Sequence, residues 1–517
     1  MKQKTWIISA LMCAMVIMVC LGVLHLLKEM TENNAPSGTV AEESTDHTEP
    51  EIDFAEEEET KEDIAETGPE EEESDVPVER EEGYYGWKQE LPQIFPSVPE
   101  EVPYEPPRLI LATDLHYQSA QADDGGAAFQ LFVERGDGKV VEYLPELLEA
   151  FMDQVIEEHP SALVLSGDIT MNGEKINHEE LARGLMRVQD AGIPVLIVPG
   201  NHDINNPHAA VYFGEEKAET DPVTSEEFYN IYHMYGYDQA ISRDDASLSY
   251  VYQLDERNRL LMLDTCQYEP KNMVEGQLKV ETLRWADEQL KKAKEDGMNV
   301  LPIGHHNLLA QSRMYTTQCA MNNNGDVIEL FQKYELPLYL SGHLHVQRIR
   351  KHKAEPGAAD DSYGIMEIVT DALSIPPCQY ALLEWKRDGS MEYSTKAVDV
   401  SAWAARTGSQ NPDLLDFEGW SERYIQKLII DQIRGVVKNL GNDVEHSMAE
   451  VYASVYIDYY AGRRIDAKGI RSSKGYRWWE RNMPDSYLLK ELDAMIDDSD
   501  RDNNYMLLPE VNAAAEE

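Results

Sequence analysis

Side chains that can bind metal ions follow a series of short apolar segments in this chain. The segment 195–198 ends at a Pro-Gly pair and is followed directly by Asn201, His202 and Asp203. The same arrangement recurs along the chain, with Asp114 and His116 after 109–113, Asp168 after 162–166, His305 and His306 after 300–303, and His343 and His345 after 338–341. Segments of this length are too short for a helix and are typical of buried strands. Because ligands of α/β sheets bind beyond the carboxyl ends of the strands, we expect these side chains to form one site.

The chemistry that this set of side chains favours is binding of two metal ions. Imidazole and carboxylate groups are suitable ligands for Mn, Fe and Zn. Two ions roughly 3.5–4 Å apart can activate a shared water and neutralise phosphoryl oxygens during an in-line displacement. A single Gly-Asp or Gly-His pair is common, and a lone His more often has a structural role. The complete series, each member directly after a strand, favours a metal site over a structural explanation.

In chain order the motifs are Asp-x-His, Gly-Asp, Gly-Asn-His-Asp, Gly-His-His and Gly-His-x-His. This series resembles the calcineurin-like metallophosphoesterases over residues 108–398. The resemblance implies three groups of metal ligands, namely Asp114, His116 and His345 for one ion, Asn201, His305 and His343 for the other, and Asp168 as the bridge between them. It also implies that His202 protonates the leaving oxygen, that Asp203 orients the imidazole of His202, and that His306 contacts another ligand or the phosphate.

The residues after Asp168 bear on the substrate class. They read Ile-Thr-Met-Asn-Gly-Glu, where Ser/Thr protein phosphatases have Asp-Arg-Gly, so we do not expect a protein phosphatase. Together with the sequence His305-His306-Asn307, they resemble the bacterial branch related to class III cyclic-nucleotide phosphodiesterases. The resemblance implies a metal-dependent phosphoric ester hydrolase with two divalent or trivalent ions (Mn, Fe or Zn). It would hydrolyse phosphomono- or phosphodiesters through in-line attack by a metal-bridging hydroxide.

The physiological substrate stays open among nucleotides, envelope phosphodiesters and lipid headgroups. The alternative from another class is a membrane-tethered binding or scaffold protein whose metal site is structural or vestigial. A vestigial site is expected to have lost ligands, and every motif residue is present in this sequence.

Alternating strand and helix signals predict an α/β fold between residues 102 and 400. The order of motifs and of further strands predicts a two-layer β-sheet sandwich flanked by helices, as in metallophosphoesterases. A long insertion begins at Tyr117 and includes a hairpin-like turn at residues 134–139, which can act as a lid. Apolar residues at helical spacing beyond residue 400 predict a small α-helical C-terminal domain at 401–517.

The first 101 residues predict an anchor and a tether. Residues 6–27 are almost entirely apolar and long enough to span a bilayer, so residues 1–30 are predicted to form an uncleaved transmembrane anchor. Lys2 and Lys4 favour an extracytoplasmic catalytic domain. Residues 31–101 are Glu-rich and predict a disordered linker. The net charge of −51 argues against a nucleic-acid polymer as partner. The expected partners are a small phosphoester substrate and the membrane. The sequence leaves the oligomeric state open.

Overall fold

The computed structural model describes residues 104–508 apart from 313–317 and 353–363. The predicted transmembrane anchor and acidic linker lie outside these residues. The described residues all belong to one compact unit. Among the helices that the structure describes, none is both long and apolar enough to cross a bilayer.

The strands of the described chain are, in order, β1 (Arg108–Ala112), β2 (Ala162–Ser166), β3 (Val195–Val198), β4 (Ala210–Phe213), β5 (Glu216–Glu219), β6 (Ser242–Arg243), β7 (Tyr250–Gln253), β8 (Asn258–Leu263), β9 (Asn299–Gly304), β10 (Leu338–Ser341), β11 (Arg348–Lys351), β12 (Met366–Val369), β13 (Gln379–Trp385), β14 (Met391–Ala397) and β15 (Tyr505–Leu508).

The α-helices are α1 (Ala127–Glu134), α2 (Leu144–Glu158), α3 (Lys175–Asp190), α4 (Ser225–Tyr232), α5 (Val280–Glu295), α6 (Asn324–Lys333), α7 (Val400–Thr407), α8 (Pro412–Leu415), α9 (Phe417–Val436), α10 (Asn442–Tyr460), α11 (Ala467–Ser472), α12 (Lys474–Asn482) and α13 (Tyr487–Asp498).

The strands form two large sheets. A six-stranded sheet has the order β15-β14-β13-β1-β2-β3, and a seven-stranded sheet has the order β11-β12-β10-β9-β8-β7-β6. Strands β1, β2 and β3 run parallel, as do β8, β9, β10 and β12. Parallel strands deliver their carboxyl ends to the same edge of a sheet, so the loops that carry the motifs leave each sheet on one edge.

The two sheets pack face to face and carry helices outside. Leu260 and Met262 of β8 lie in the core shared with the six-stranded sheet, whereas Leu261 and Leu263 pack with α5 and α6 on the opposite face. This alternation is the two-residue period of a strand buried on both faces. Phe151 of α2 and other residues of α2 and α3 cover the six-stranded sheet. The predicted two-layer sandwich flanked by helices is therefore present.

The region beyond residue 400 is helical, as predicted, and has a core of its own. Helices α9, α10, α12 and α13 bury a cluster that includes Ile425, Tyr452 and Trp479. The cluster also contains Leu344 and Val346 from the loop after β10. In addition, β15 pairs antiparallel with β14, with Met391 opposite Leu508. The C-terminal helices are thus packed on, and joined to, the sandwich.

The insertion after β1 differs from the predicted hairpin. Residues 127–134 form helix α1, and the glycine-rich turn at 136–139 follows this helix instead of joining two strands. The antiparallel β4–β5 pair lies after the third motif instead. Apolar residues of α1 are buried against the core, Phe129 and Val133 among them, and this burial favours the helix.

Candidate metal centre

The motif side chains meet where the two sheets face each other. Nδ1 of His305, after β9, lies 3.0 Å from the carbonyl oxygen of Ser166 at the end of β2. The amide of Gly342, after β10, donates to the carbonyl oxygen of His305 at 3.0 Å. The first contact brings the strand ends of one sheet against those of the other, and the second joins neighbouring strands of the seven-stranded sheet. The predicted ligands lie together at this place.

The first cluster contains Asp114, His116, Asp168 and His345, whose ligand atoms lie within 4.8 Å of one another. Nε2 of His345 is 3.1 Å from Nε2 of His116 and 3.1 Å from Oδ1 of Asp114. Nε2 of His116 is 3.9 Å from Oδ2 of Asp168. Atoms that share an ion at about 2.0–2.2 Å lie roughly 3–4 Å apart, so these distances fit ligands around one metal ion.

The second cluster is arranged around His305. Its Nε2 lies 3.3 Å from Oδ2 of Asp168 and 3.2 Å from Oδ1 of Asn201. Because Nδ1 of His305 faces a carbonyl, the Nδ1–H tautomer is favoured and the lone pair of Nε2 is free for a metal ion. Nε2 of His343 lies 2.8 Å from the carbonyl oxygen of Gln318, whereas Nδ1 is buried with no hydrogen-bond partner among the described residues. His343 can therefore bind a metal ion through Nδ1.

Oδ2 of Asp168 faces both clusters, since it contacts His116 of the first and His305 of the second. A carboxylate in this position can bridge two cations. The donor set of imidazoles, carboxylates and one amide oxygen suits Mn, Fe or Zn. The residues present therefore fit a pair of metal ions.

The backbone at this site is held in unusual conformations. Most of the predicted ligands have positive φ angles: Asp114 (52°), His116 (45°), Asp168 (48°), His343 (72°) and His345 (56°). Residues other than glycine in this region cost of order 1–3 kcal/mol each and persist where the surrounding structure holds them. The concentration of such residues here is typical of a functional site.

Glycines permit the close approach of the ligand loops. A Cβ atom at Gly200 would lie 2.1 Å from the amide nitrogen of Asp168, and one at Gly342 would lie 2.0 Å from Oγ1 of Thr113. Thr113 in turn donates a hydrogen bond to Oδ2 of Asp114 at 2.7 Å. Gly200 and Gly342, which precede ligand blocks, are therefore packing requirements as well as turn signals.

Electrostatics couple the clusters. Burial raises the pKa of Asp168, but His305 and His202 outweigh it and hold the pKa well below its usual range. Burial lowers the pKa of His305, yet the Asp168 carboxylate overcomes this and raises the pKa to about 9. Burial and the neighbouring His305 lower the pKa of His343 to about 4. Asp168 is thus a permanent negative charge among imidazoles, as a bridging ligand requires.

Two protein-family models match the chain. A model described as calcineurin-like phosphoesterase matches residues 107–347, which include every residue of both clusters. A model described as the C-terminal domain of cyclic nucleotide phosphodiesterase matches residues 399–502. The chain contains a calcineurin-like phosphoesterase domain. It is a metal-dependent phosphoric ester hydrolase, and its helical C-terminal region is similar to the C-terminal domain of cyclic nucleotide phosphodiesterase.

Solved structures of similar fold are distant from this phosphoesterase. A dimetal phosphatase from Danio rerio is 16% identical, with 57% of this chain and 97% of that chain covered and a TM-score of 0.43. A purple acid phosphatase from yellow lupin is 13% identical, with 57% and 52% covered and a TM-score of 0.38. No curated protein sequence matches significantly.

In the phosphoesterase domain, His202 lies at the rim of the first cluster. Its Nδ1 is 2.7 Å from the carbonyl oxygen of Met171 and 3.1 Å from Oδ1 of Asn172. Its Nε2 is 4.0 Å from Oδ2 of Asp168, and the side chain is 30% exposed. His202 is thus a partly exposed motif histidine whose Nε2 lies beside the candidate metal ligands.

The structure corrects the predicted role of Asp203. Its carboxylate accepts hydrogen bonds from the amides of Gly200 (2.8 Å), Ile169 (3.2 Å) and Thr170 (2.9 Å), and from the hydroxyl of Thr170 (2.9 Å). Both carboxylate oxygens of Asp203 therefore accept hydrogen bonds from these donors. The ring of His202 is held by Met171 and Asn172 instead. Asp203 therefore joins two ligand loops and does not orient the imidazole.

His306 is also bound to the protein. Its Nδ1 lies 2.8 Å from Oγ1 of Thr265, and its Nε2 lies 3.0 Å from the carbonyl oxygen of Val274. His306 lies close to His305 and His343, near enough for the three to share a metal ion. Both ring nitrogens of His306 already have partners in the protein, however. Asn201 is therefore the better third ligand beside His305 and His343.

Sequence reasoning missed two charged residues near the phosphoesterase centre. Oδ2 of Asp137 lies 3.7 Å from Nδ1 of His345 and 2.5 Å from Nζ of the buried Lys139. Burial raises the pKa of Asp137, but Lys139 and His345 outweigh it and lower the pKa. The Gly-Asp-Gly-Lys sequence was the available signal. From sequence alone these four residues look like an ordinary surface turn. Their separation from the motifs along the chain does not show how close they lie to the motifs in the folded protein.

Proposed function

We propose that this protein hydrolyses small phosphodiesters, with cyclic nucleotides as the first candidates. The observation that carries the proposal is the position of Asp168 between the two clusters, with the exposed Nε2 of His202 at their edge. The match of residues 399–502 to a cyclic nucleotide phosphodiesterase domain supports the diester class.

In this proposal the chain holds two metal ions through its motif residues. Asp114, His116 and His345 bind one ion, Asn201, His305 and His343 bind the other, and Asp168 bridges them. When bound, such a pair supplies a water activated near neutral pH and positive charge that neutralises phosphoryl oxygens. The ions are divalent or trivalent Mn, Fe or Zn, as the donor set allows.

His202 serves as the proton donor to the leaving oxygen. Nδ1 faces the carbonyl oxygen of Met171, which accepts its hydrogen, so Nε2 is the atom that exchanges a proton with a substrate. The ring of His202 packs edge to face on that of His116, with centroids 4.8 Å apart. This packing and the hydrogen bonds to Nδ1 hold Nε2 at the edge of the cluster, where a leaving group would lie.

A binding or scaffold protein with a structural metal site is the rival function. A purely structural site needs closed coordination and no proton donor. The open Nε2 of His202 beside the cluster favours hydrolysis instead. We further propose that the enzyme is anchored through residues 6–27 with the catalytic domain outside the membrane, on the sequence pattern alone.

A substrate comparison tests the proposal. The purified protein is loaded with Mn²⁺ and assayed with cyclic AMP, bis(p-nitrophenyl) phosphate and p-nitrophenyl phosphate. We expect kcat/KM for the diesters to exceed that for the monoester by at least about tenfold, equivalent to about 1.4 kcal/mol. A preference for the monoester would overturn the diester class. Metal binding without hydrolysis of any ester would favour the scaffold function.

A further inference from the structure

The turn after α1 brings a carboxylate and an ammonium to the back of one metal ligand. Asp137 is partly buried, with 32% of its side chain exposed, and Lys139 is buried. Oδ2 of Asp137 is shared between Nζ of Lys139 at 2.5 Å and Nδ1 of His345 at 3.7 Å. Nε2 of the same imidazole faces Asp114 and His116. The ring of His345 therefore lies between the first cluster and Asp137.

This arrangement selects the tautomer that binds a metal ion. At 3.7 Å the contact between Asp137 and His345 is electrostatic and too long for a hydrogen bond. A carboxylate on that side favours a proton on Nδ1 and leaves the lone pair of Nε2 toward Asp114. Carboxylates behind metal-binding imidazoles fix ring orientation and raise ligand basicity.

Helix α9 holds this turn in place. Tyr424 donates a hydrogen bond from its hydroxyl to the carbonyl oxygen of Lys139 at 3.0 Å, and Gln432 donates to that of Gly136 at 3.2 Å. Gly138 has φ +108°, and a Cβ there would lie 2.4 Å from Cδ1 of Ile425. The turn is thus packed directly on α9, and glycine is required by both the conformation and the contact.

The C-terminal helices also hold the loop that carries His345. Leu344 and Val346, its two neighbours, belong to the same buried cluster as Ile425. The amide of Gln347 donates to the carbonyl oxygen of Tyr460, at the end of α10, at 2.9 Å. The helical region therefore supports the position of His345 from two sides, through the neighbours of His345 in its loop and through the turn that carries Asp137.

We propose that Asp137 is a positioning residue for His345 and that α9 places it, so that the C-terminal helical region completes one of the two metal sites. The inference rests on the proposed function, because it takes His345 as a metal ligand. It goes beyond that function by assigning the helical region a role in metal binding.

Metal titration tests this inference without relying on turnover. Binding of Mn²⁺ to the metal-free full chain is measured by calorimetry, together with thermal unfolding of each variant. We expect Asp137→Ala to raise the dissociation constant of one of the two ions by about 10–100-fold and to leave the other unchanged. Asp137→Asn preserves the shape without the charge, so it should weaken the same ion less. It also replaces the alanine variant if that variant does not fold.

A matched Asp–Lys pair provides the control. Oδ1 of Asp287, on α5, lies 2.6 Å from Nζ of Lys333, on α6, away from the metal ligands. Asp287→Ala should leave both dissociation constants unchanged. Unchanged constants in Asp137→Ala and Asp137→Asn, or equal losses at both ions, would overturn the positioning role. A wild-type protein that binds fewer than two ions would instead refute the proposed function.

The contribution of α9 needs its own variant. Tyr424→Phe combined with Gln432→Ala removes both hydrogen bonds to the turn and leaves Asp137 intact. We expect weaker binding of the same ion that Asp137→Ala affects, by several-fold. A double variant that binds both ions as tightly as wild type would refute the role of α9.

Discussion

The carbonyl oxygen of Met171 lies 2.7 Å from Nδ1 of His202. A backbone carbonyl can only accept a hydrogen bond, so Nδ1 carries the proton and Nε2 is the nitrogen that would react in the proposed hydrolysis. The contacts of the two neighbouring residues therefore differ: Met171 and Asn172 hold the imidazole of His202, whereas the carboxylate of Asp203 joins the ligand loops.

If His202 is a general acid, His202→Ala should keep both metal ions and lose rate according to the leaving group. An alkoxide leaving group, with a conjugate-acid pKa of roughly 14–16, needs a proton in the transition state, whereas p-nitrophenolate, at about 7, scarcely does. The rate with an alkyl ester should fall by about 10²–10⁴-fold and that with a nitrophenyl ester much less. Single-turnover rates and metal analysis measure this. Equal losses on both esters, or loss of an ion, would make His202 a ligand or a substrate-positioning group.

Asp203→Ala should behave differently from His202→Ala. The substitution leaves buried donors of Gly200, Ile169 and Thr170 without their acceptor, and each unpaired group costs about 1–3 kcal/mol. We expect a large loss of thermal stability and similar rate losses with alkyl and nitrophenyl esters. A stable variant with a selective loss on the alkyl ester would restore the role of Asp203 in orienting the imidazole.

Asp168→Asn tests the bridge. A neutral amide cannot neutralise two cations as a carboxylate does, so both ions should bind more weakly and activity should fall. Removal of a group that only contacts a metal ligand lowers metal affinity by roughly 10–100-fold. We expect a larger loss of affinity for Asp168→Asn, because Asp168 binds the ions itself in the proposed site. The metal content of Asp168→Asn after dialysis, compared with that of Asp137→Asn, measures this difference in affinity. Full activity with two retained ions would exclude Asp168 from the bridging position.

Glu491 in the helical region should make stability depend on pH. Burial raises the pKa of its carboxyl to about 8 from the ordinary 4.5. Between these values the unfolded chain binds fewer protons than the folded protein, so the free energy of unfolding falls as pH rises, by up to about 1.4 kcal/mol per pH unit.

Glu491→Gln removes this titration and keeps a polar group for the hydroxyl of Tyr452, which donates to Oε2 of the carboxyl. Melting temperatures of variant and wild type should differ little near pH 5, and the variant should be the more stable near pH 8. Comparing the two proteins at each pH cancels the titration of the metal ligands. A difference that does not change with pH would exclude this assignment.

The proposed anchor at residues 6–27 predicts that the enzyme stays with membranes and faces outward. Protease treatment of intact cells should then remove the catalytic domain while a cytoplasmic marker survives. Protection of both would place the domain inside, and recovery of the domain in the medium would indicate a cleaved leader.

The sequence alone was enough to predict the fold class and the candidate metal ligands. Each ligand directly follows a buried strand, and parallel strands of one sheet deliver their ends to one edge, so local order along the chain is enough to predict that Asp114 and Asp168 meet. His345 follows a strand of the other sheet, so only the packing of the two sheets brings it to them. The helical region beyond residue 400 was likewise predictable, since apolar residues at helical spacing are a local pattern.

Tertiary structure decided which groups support those ligands. Asp203 follows His202 in sequence, yet the backbone turns its carboxylate to Gly200 and Thr170, while Met171 and Asn172 hold the imidazole. Asp137 reaches His345 from far along the chain because α9 packs on its turn. Such contacts depend on side-chain direction and on packing between distant segments, and neither is encoded in the spacing of residues along the chain.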